Sequence, residues 1–318
     1  MATSKRVLVT GAAGFIGSHT VDALLYNGYQ VTGLDNFARR PAQNMAHRSN
    51  ASFTFLRGDL QNVDDVKKAL EGVSTVIHLA VMRGSGKTFD EGMRIHETNA
   101  TGTLQLLRAA VEAGVRRFVF ASSATVYGKR NEPPHGEDML PHPESSYAAS
   151  KIAAEGYCTA FRSMYGLETV VLRYMNVYGP RAQNDDHASV VVKFADRLLQ
   201  NQPPYIFGDD EQSRDFTYVE DVAKANLLAI QSEGAVGEII NIGTGRPTTI
   251  KELAEEMAKL LNIHPIRPIL KLRRPWDIQT SWADIGKART LLGYEPETNL
   301  TQGLRRFLEW YKGTLKRF

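Results

Sequence analysis

Tyr147 and Lys151 stand four residues apart in the run Ser145-Ser146-Tyr147-Ala148-Ala149-Ser150-Lys151. At the start of a helix that spacing puts both side chains on one face. A phenol with its ordinary pKa near 10 is too weak a base at neutral pH. An ammonium about 4 Å away stabilises the phenolate by at most ~4 kcal/mol at an effective dielectric of about 20, equivalent to about 3 pK units. Such a pair can take the proton of an alcohol while a hydride leaves the adjoining carbon. Ser122-Ser123 closes an apolar run upstream and brings hydroxyls to the same place. Because Tyr-x-x-x-Lys also arises by chance on many helices, the reading needs a hydride acceptor nearby.

Thr10-Gly11-Ala12-Ala13-Gly14-Phe15-Ile16-Gly17 supplies a site for one. It follows a strand-like run and opens a helical one. Gly11 permits a tight turn, Gly14 lets the backbone approach a pyrophosphate, and Gly17 lets helix and sheet pack closely. The helix N-terminus then presents free N–H groups to the phosphates. Asp35, at the end of the next strand-like run, is placed to accept from a ribose 2′-hydroxyl. A carboxylate there repels a 2′-phosphate, so the expected cofactor is NAD rather than NADP. Arg39 and Arg40 are read as loop charges. The segment Arg83-Gly84-Ser85-Gly86-Lys87-Thr88 resembles the end of a triphosphate loop, but such a loop needs glycine at position 81, which is Val.

The elements that must carry these residues are legible as alternation. Apolar runs at 6–10, 30–34, 52–57, 75–79, 117–122 and 169–173 are separated by helical patterns at 15–27, 64–71, 94–113 and 146–165. Consecutive Val, Ile, Leu and Phe in the short runs suit parallel strands covered on both faces. The expected fold is α/β, a Rossmann-type doubly wound parallel sheet whose ligands lie beyond the carboxyl ends of the strands. After Asn176 the loops become proline-rich and helical patterns recur at 189–200, 220–231, 250–261, 285–292 and 301–311. We therefore divide the chain into a dinucleotide-binding domain at 1–176 and a smaller, mostly helical substrate domain at 177–318.

Composition excludes several other classes. The 318 residues carry 38 Lys and Arg against 35 Asp and Glu, a net charge of +3 spread along the chain, which makes no nucleic-acid surface. The single cysteine, Cys158, forbids an intrachain disulfide and a cysteine-rich zinc site, and reads as a buried small hydrophobe. The histidines show no metal-ligand spacing, so no metal is expected. No run reaches the roughly 18 apolar residues of a membrane span. The first residues lead straight into Val7-Leu8-Val9, read as a strand rather than a leader, so the expected location is the cytoplasm.

Together these motifs resemble the extended short-chain dehydrogenase/reductases of the NAD-dependent sugar-nucleotide epimerase/dehydratase family, and within it the UDP-glucose 4-epimerases. The resemblance runs over essentially the whole chain. It includes the Gly11/Gly14/Gly17 loop, Asp35-Asn36, Gly58-Asp59-Leu60, His78-Leu79-Ala80, Asn99, Ser122 to Gly128, Tyr147/Lys151, Arg173 to Asn176, Ser213 to Phe216 and Trp282 to Lys287.

The resemblance implies an isomerase acting on a UDP-hexose at C4 through a transient 4-keto sugar. It implies that Ser123, Tyr147 and Lys151 are catalytic. It places Phe15, Ile16, Asn36, Leu79, Ala80, Asn99 and Ser122 with the glycines and Asp35 around NAD, Asp59 and Leu60 at the adenine, and Lys151 also on the nicotinamide ribose. Asn99 and His78 can equally be satisfied core polar groups. Arg214 and Arg274 are implied for the substrate diphosphate, Asn176 for its nucleotide end, and Arg83 and Asp277 for the substrate pocket. Arg181, in Gly179-Pro180-Arg181, can meet a sugar carboxylate, which keeps UDP-glucuronate as the alternative substrate. A net NAD(P)H-dependent ketoreductase is a further alternative, disfavoured by Asp35. Related dehydratases carry an acid after the catalytic hydroxyl, whereas Ala124 and Thr125 follow Ser123 here. Val81, Arg83 and Trp276 depart from the usual pattern and bear on the sugar pocket. A homodimer through the helical segments 94–113 and 146–165 is expected by analogy.

Overall fold

The structure, a computed structural model, describes residues 6–38, 44, 47, 49–84, 86–185, 187–209, 211–263, 267–272 and 278–315. Arg39, Arg40, Arg274, Trp276 and Asp277 lie outside the described residues.

Seven parallel strands form the central sheet: β1 (Arg6–Thr10), β2 (Gln30–Asp35), β3 (Phe53–Arg57), β4 (Thr75–His78), β5 (Arg117–Ser123), β6 (Glu168–Tyr174) and the strand Ile239–Ile242. From one edge to the other the order is Ile239–Ile242, β6, β5, β4, β1, β2, β3. The order reverses between β1 and β4, where Val9 pairs with Gly33 on one side and Ile77 on the other. That reversal opens the crevice in which a doubly wound sheet holds its ligand.

Alternation along each strand divides the core. Val7 and Val9 point to a layer containing α1 (Phe15–Tyr26) and the helix Val219–Gln231, whereas Leu8 points to the opposite layer. There it meets α2 (Val63–Ala69), α4 (Gly102–Glu112) and α5 (Ser146–Tyr165), with Leu106, Leu107 and Cys158 fully buried. A separate core forms the smaller part, where the helices Val190–Leu199, Ile250–Leu261 and Leu300–Leu315 close over Tyr178, Phe216 and Tyr218.

Two departures from the sequence reading matter for the site. The helix expected at 94–113 starts earlier, as α3 (Phe89–His96), because Thr88 accepts the Glu91 N–H at its N-terminus. It then continues into α4 through one π turn, Glu97–Thr101. The strand Ile239–Ile242 is the second. It is only four residues long and carries a polar residue, Asn241, in its middle, so no apolar run announced it. Asn241 is nonetheless fully buried, accepting from the Tyr127 hydroxyl (2.6 Å) and donating to His135 O (2.8 Å). Through this strand the chain past residue 176 returns to the first sheet.

His78 ends β4 beneath the glycine loop, 1% exposed. Its Nδ1 lies 2.7 Å from Thr10 Oγ1 and its Nε2 2.9 Å from Thr103 Oγ1. Thr10 Oγ1 already accepts the Leu79 and Ala80 N–H groups, so its own proton goes to Nδ1 and Nε2 donates to Thr103. The network therefore takes only the neutral ring, and burial lowers the His78 pKa to about 3. A pKa depressed from about 6.5 contributes stability above pH 6.5 that is lost as pH falls toward 3. Urea midpoints measured from pH 7 to 4.5 should fall with acidification, at a rate of up to ~1.4 kcal/mol per pH unit from this residue. His78→Gln should remove that part of the slope.

Candidate active site

A cavity of about 360 Å³ runs along the carboxyl ends of the strands, from β2 and β3 across β1 to β5 and α5. Gly11 enters the left-handed region (φ +67°), and a Cβ there would stand 2.8 Å from Ala80 N. A Cβ on Gly17 would stand 2.0 Å from Gly11 O, so the first turn of α1 fits against the loop only with hydrogen at that position. Gly14 caps α1 without a side chain, leaving the first N–H groups of the helix directed at the cavity.

The Asp35 carboxylate accepts Ala13 N–H at 3.1 Å and Phe37 N–H at 2.8 Å. Burial pushes its pKa up, against the pull of those two donors. Asn36 donates to Asp59 Oδ2 (2.8 Å), and Asp59 and Leu60 form the far wall. Gly11, Gly14, Phe15, Ile16, Gly17, Asp35, Asn36, Asp59, Leu60, Leu79, Ala80, Ser122, Tyr147 and Lys151, all expected at the cofactor from sequence, line this one cavity.

Asn99 does not. The π turn directs its amide onto the Met82 backbone, Oδ1 accepting Met82 N–H (2.8 Å) and Nδ2 donating to Met82 O (3.0 Å) and Ser150 Oγ (3.1 Å). It fixes the loop that carries Val81, Met82 and Arg83, and its neighbour Thr98 forms the wall instead. A π turn at such a place is a common device for aiming one side chain.

At the opposite end α5 begins where Ser145 accepts Ala148 N–H (3.1 Å), which puts Tyr147 in the first turn. Burial raises the Tyr147 pKa, while the Arg83 guanidinium and a hydrogen bond with Ser123 lower it. Ser123 Oγ accepts from Thr125 N (3.3 Å) and Thr125 Oγ1 (3.1 Å), which leaves its own proton for the tyrosine oxygen.

The sequence reading made Lys151 the cation acting on the phenol. In the structure the Arg83 guanidinium also acts on the phenol, and Lys151 is buried with Nζ donating to Ala121 O at 2.7 Å, 5.8 Å from the Tyr147 ring centre. Burial, opposed by the charge of Glu155, lowers the Lys151 pKa to about 7. Arg83, on the cavity wall, is held by His187 O (2.6 Å) and Asp185 (3.5 Å).

Four described residues expected at the substrate stand off the wall: Ser123, which reaches it only through Tyr147, and Arg181, Arg214 and Asn176. Arg181 takes a positive φ and meets a carboxylate of its own chain, Asp22 of α1, at 2.6 Å, while Ala182 and Gln183 after it reach the cavity. Arg214 is half-buried, donating to Ser213 O (2.7 Å) and Gln279 O (3.3 Å). Its neighbour Asp215 is fully buried and receives Thr244 and Gly245. Asn176 donates its N–H to Asp215 O (2.9 Å) and stands beside Val177, which does line the cavity. Sequence reasoning missed Met82, Thr98, Gln183 and Ser189 on the wall. It also gave no role to Glu155, which its i+4 spacing from Lys151 could have revealed.

The cradle fits a dinucleotide that needs backbone approach at Gly14 and Gly17, and this yields a test. Gly17→Ala must displace the Gly11 carbonyl, costing about 3 kcal/mol or more. The purified variant should release no NAD on denaturation, measured by chromatography of the extract, where the unaltered protein does.

A family model described as the NAD dependent epimerase/dehydratase family matches residues 7–243. A putative UDP-glucose 4-epimerase of Methanocaldococcus jannaschii is 38% identical over 308 residues, covering 96% of this chain and 98% of that protein. The solved UDP-glucose 4-epimerase of Thermotoga maritima, with UDP-glucose, is 37% identical with a TM-score of 0.91, covering 98% of this chain and 99% of that one. The Bacillus cereus UDP-glucuronic acid 4-epimerase, with UDP-glucuronic acid and NAD, is 34% identical with a TM-score of 0.91, covering 97% and 99%. The glycine cradle, the Asp35 wall and the Ser123–Tyr147–Lys151 end are thus those of a chain that belongs to the NAD-dependent epimerase/dehydratase family.

Proposed function

We propose that the protein epimerises a UDP-hexose at C4, interconverting UDP-glucose and UDP-galactose through a transient 4-keto sugar, which would place it in galactose metabolism. One observation carries the reading: Tyr147, with Ser123 hydrogen-bonded to it and Lys151 beneath it, stands at one end of the cavity whose other part is the glycine cradle. Tyr147 takes the proton of the C4 hydroxyl and later returns it. Ser123 donates to the same oxygen, and the charge of Arg83 favours the phenolate; in this reading the Lys151 ammonium on the same helix face adds its own. NAD, which the glycine cradle, Asp35 and Lys151 would hold, would supply the hydride acceptor and donor for C4. Ala124 and Thr125 supply no acid to protonate a leaving hydroxyl, which favours epimerisation over elimination.

Arg214 and Arg274 are assigned to the diphosphate and Asn176 to the nucleotide end, with Asp277 beside the sugar. Arginine suits phosphate as a rigid donor fork. In this reading residues 1–176 chiefly hold the cofactor and 177–318 chiefly the nucleotide sugar, with the chain crossing between the two parts at Ile239–Ile242.

UDP-glucuronate is the second reading, and Arg83 is what favours it. Its guanidinium lies on the wall near Tyr147, where a sugar carboxylate would find a cation. Arg181 no longer supports that reading, since Asp22 already occupies it. The Asp35 carboxylate argues against NADPH-dependent reduction.

We place the protein in the cytoplasm, consistent with its one buried, unpaired cysteine, and no helix among the described residues is long and apolar enough to cross a membrane. We further propose a homodimer through the helical segments 94–113 and 146–165, the first of which the structure extends N-terminally as α3. Phe89 and Met93, one turn apart on α3, are 96% and 59% exposed, an apolar surface that asks for cover.

Purified protein without added NAD should convert UDP-glucose to its galacto epimer, or UDP-glucuronate to its own 4-epimer, by chromatography. Tyr147→Phe should lower turnover about 10³-fold; activity within tenfold of the parent would remove Tyr147 as the base. Phe89→Glu combined with Met93→Glu should turn the dimer into a monomer by light scattering, and an unchanged mass would exclude this face.

A further inference from the structure

Glu155 follows Lys151 by one turn and Tyr147 by two, so the three share one face of α5. It is 5% exposed, and its carboxylate is met from two strands. Ser122 Oγ, at the end of β5 and next to Ser123, donates to Oε1. Arg173 of β6, itself 2% exposed, donates from Nε to Oε1 (3.0 Å) and from Nη2 to Oε2 (2.8 Å). Arg173 in turn stacks over Tyr127 at 4.9 Å. A bidentate, charge-assisted pair of this kind fixes both partners in angle as well as distance.

The cation that gains is Lys151. It is 4% exposed, and its ammonium donates to a single carbonyl, Ala121 O. A buried ammonium with one dipole for company is costly unless a counter-charge is near. The groups facing it are Tyr147, Glu155 and Cys158 on α5, neutral His78 on β4, Arg173 on β6 through Glu155, the Phe120 ring on β5 at 4.8 Å, and Arg83 across Tyr147. Cys158 stays a thiol because burial pushes it up. Glu155 is thus the carboxylate whose charge reaches Lys151.

We propose that Glu155 is a positioning residue for the reaction: its carboxylate keeps the Lys151 ammonium charged beneath Tyr147 and holds Ser122, and with it Ser123, at the end of β5. The assignment rests on Tyr147 and Lys151 being the reacting pair. Arg173 shares the carboxylate and so limits how much of its charge Lys151 feels.

The two buried partners therefore act on Lys151 with opposite sign. Titration of the isotope-labelled Lys151 ε-carbon resonance in the full chain, assigned by its loss in Lys151→Arg, reads the ammonium directly without substrate. Glu155→Gln should move the midpoint down from about 7 by about one pH unit. Arg173→Met, which leaves Glu155 to Lys151 and Ser122, should move it up. The alkaline limb of kcat/KM should follow each midpoint. Arg173→Met keeps the test open if Glu155→Gln does not fold. Activity lost at every pH with an unmoved Lys151 midpoint would make Glu155 merely structural and overturn the proposal. Should Tyr147→Phe stay active, the base assignment fails, yet the Lys151 titration still reports on Glu155 separately.

Discussion

The site is built outward from one buried hydroxyl. Thr10 Oγ1, at the end of β1, accepts the two N–H groups that leave β4 and gives its proton to His78. His78 passes the chain of donors to Thr103, Thr103 to the Asn99 carbonyl, and the Asn99 side chain to both backbone atoms of Met82. Four side chains thus carry position from the middle strand to the loop that bears Arg83. In a low-dielectric interior every member of such a series has to be satisfied, so it admits one arrangement and no intermediate one. The glycine cradle and the loop that bears Arg83 are held in register by this path, since Gly11 follows Thr10 and Ala80 lies against it.

Charge is sorted along the same cavity. Asp35 and Asp59 line the end near β2 and β3, while Arg83 and Lys151 line the end near α5. A dinucleotide held with its ribose hydroxyls at the acidic end would set its reactive ring toward the cations. In the proposed reaction the basic end is also where the phenol would lose its proton, so orientation of the ligand and tuning of the base would come from one polarity.

What the sequence disclosed was whatever is local. The glycine loop, Asp35 and the Tyr147–Lys151 spacing are each contained in one turn or one strand end, and all were placed on the cavity wall as read. The parallel sheet was legible for six strands because each is a short run dominated by Val, Ile, Leu or Phe, broken only by small residues such as Thr32, Gly33 and Thr54. What stayed hidden depends on residues far apart in the chain. Nothing near Arg181 shows that Asp22 will occupy it, and nothing near Asn99 shows that a π turn will aim it at Met82. Ile239–Ile242 escaped because the side chain of its central Asn241 is satisfied by Tyr127, His135 and Asp284, none of which is nearby in sequence. Helix spacing brings Lys151 near Tyr147, but nothing local shows that its buried Nζ will donate to Ala121 O or that Arg83 will reach the same phenol.

That late strand has a consequence for how the chain is made. β6 is an edge of the sheet until Ile239–Ile242 pairs with it, register running from Ile239 opposite Val171 to Ile242 opposite Tyr174. A ribosome delivers the whole segment between them before the ladder can close. During that interval β6 offers unpaired N–H and C=O groups beside an apolar face, the condition under which nascent chains pair with one another. Cutting the polypeptide at the change of rhythm after Asn176 would make that interval permanent. The cofactor-binding half therefore depends for its last strand on a segment synthesised well after its own ligand cradle.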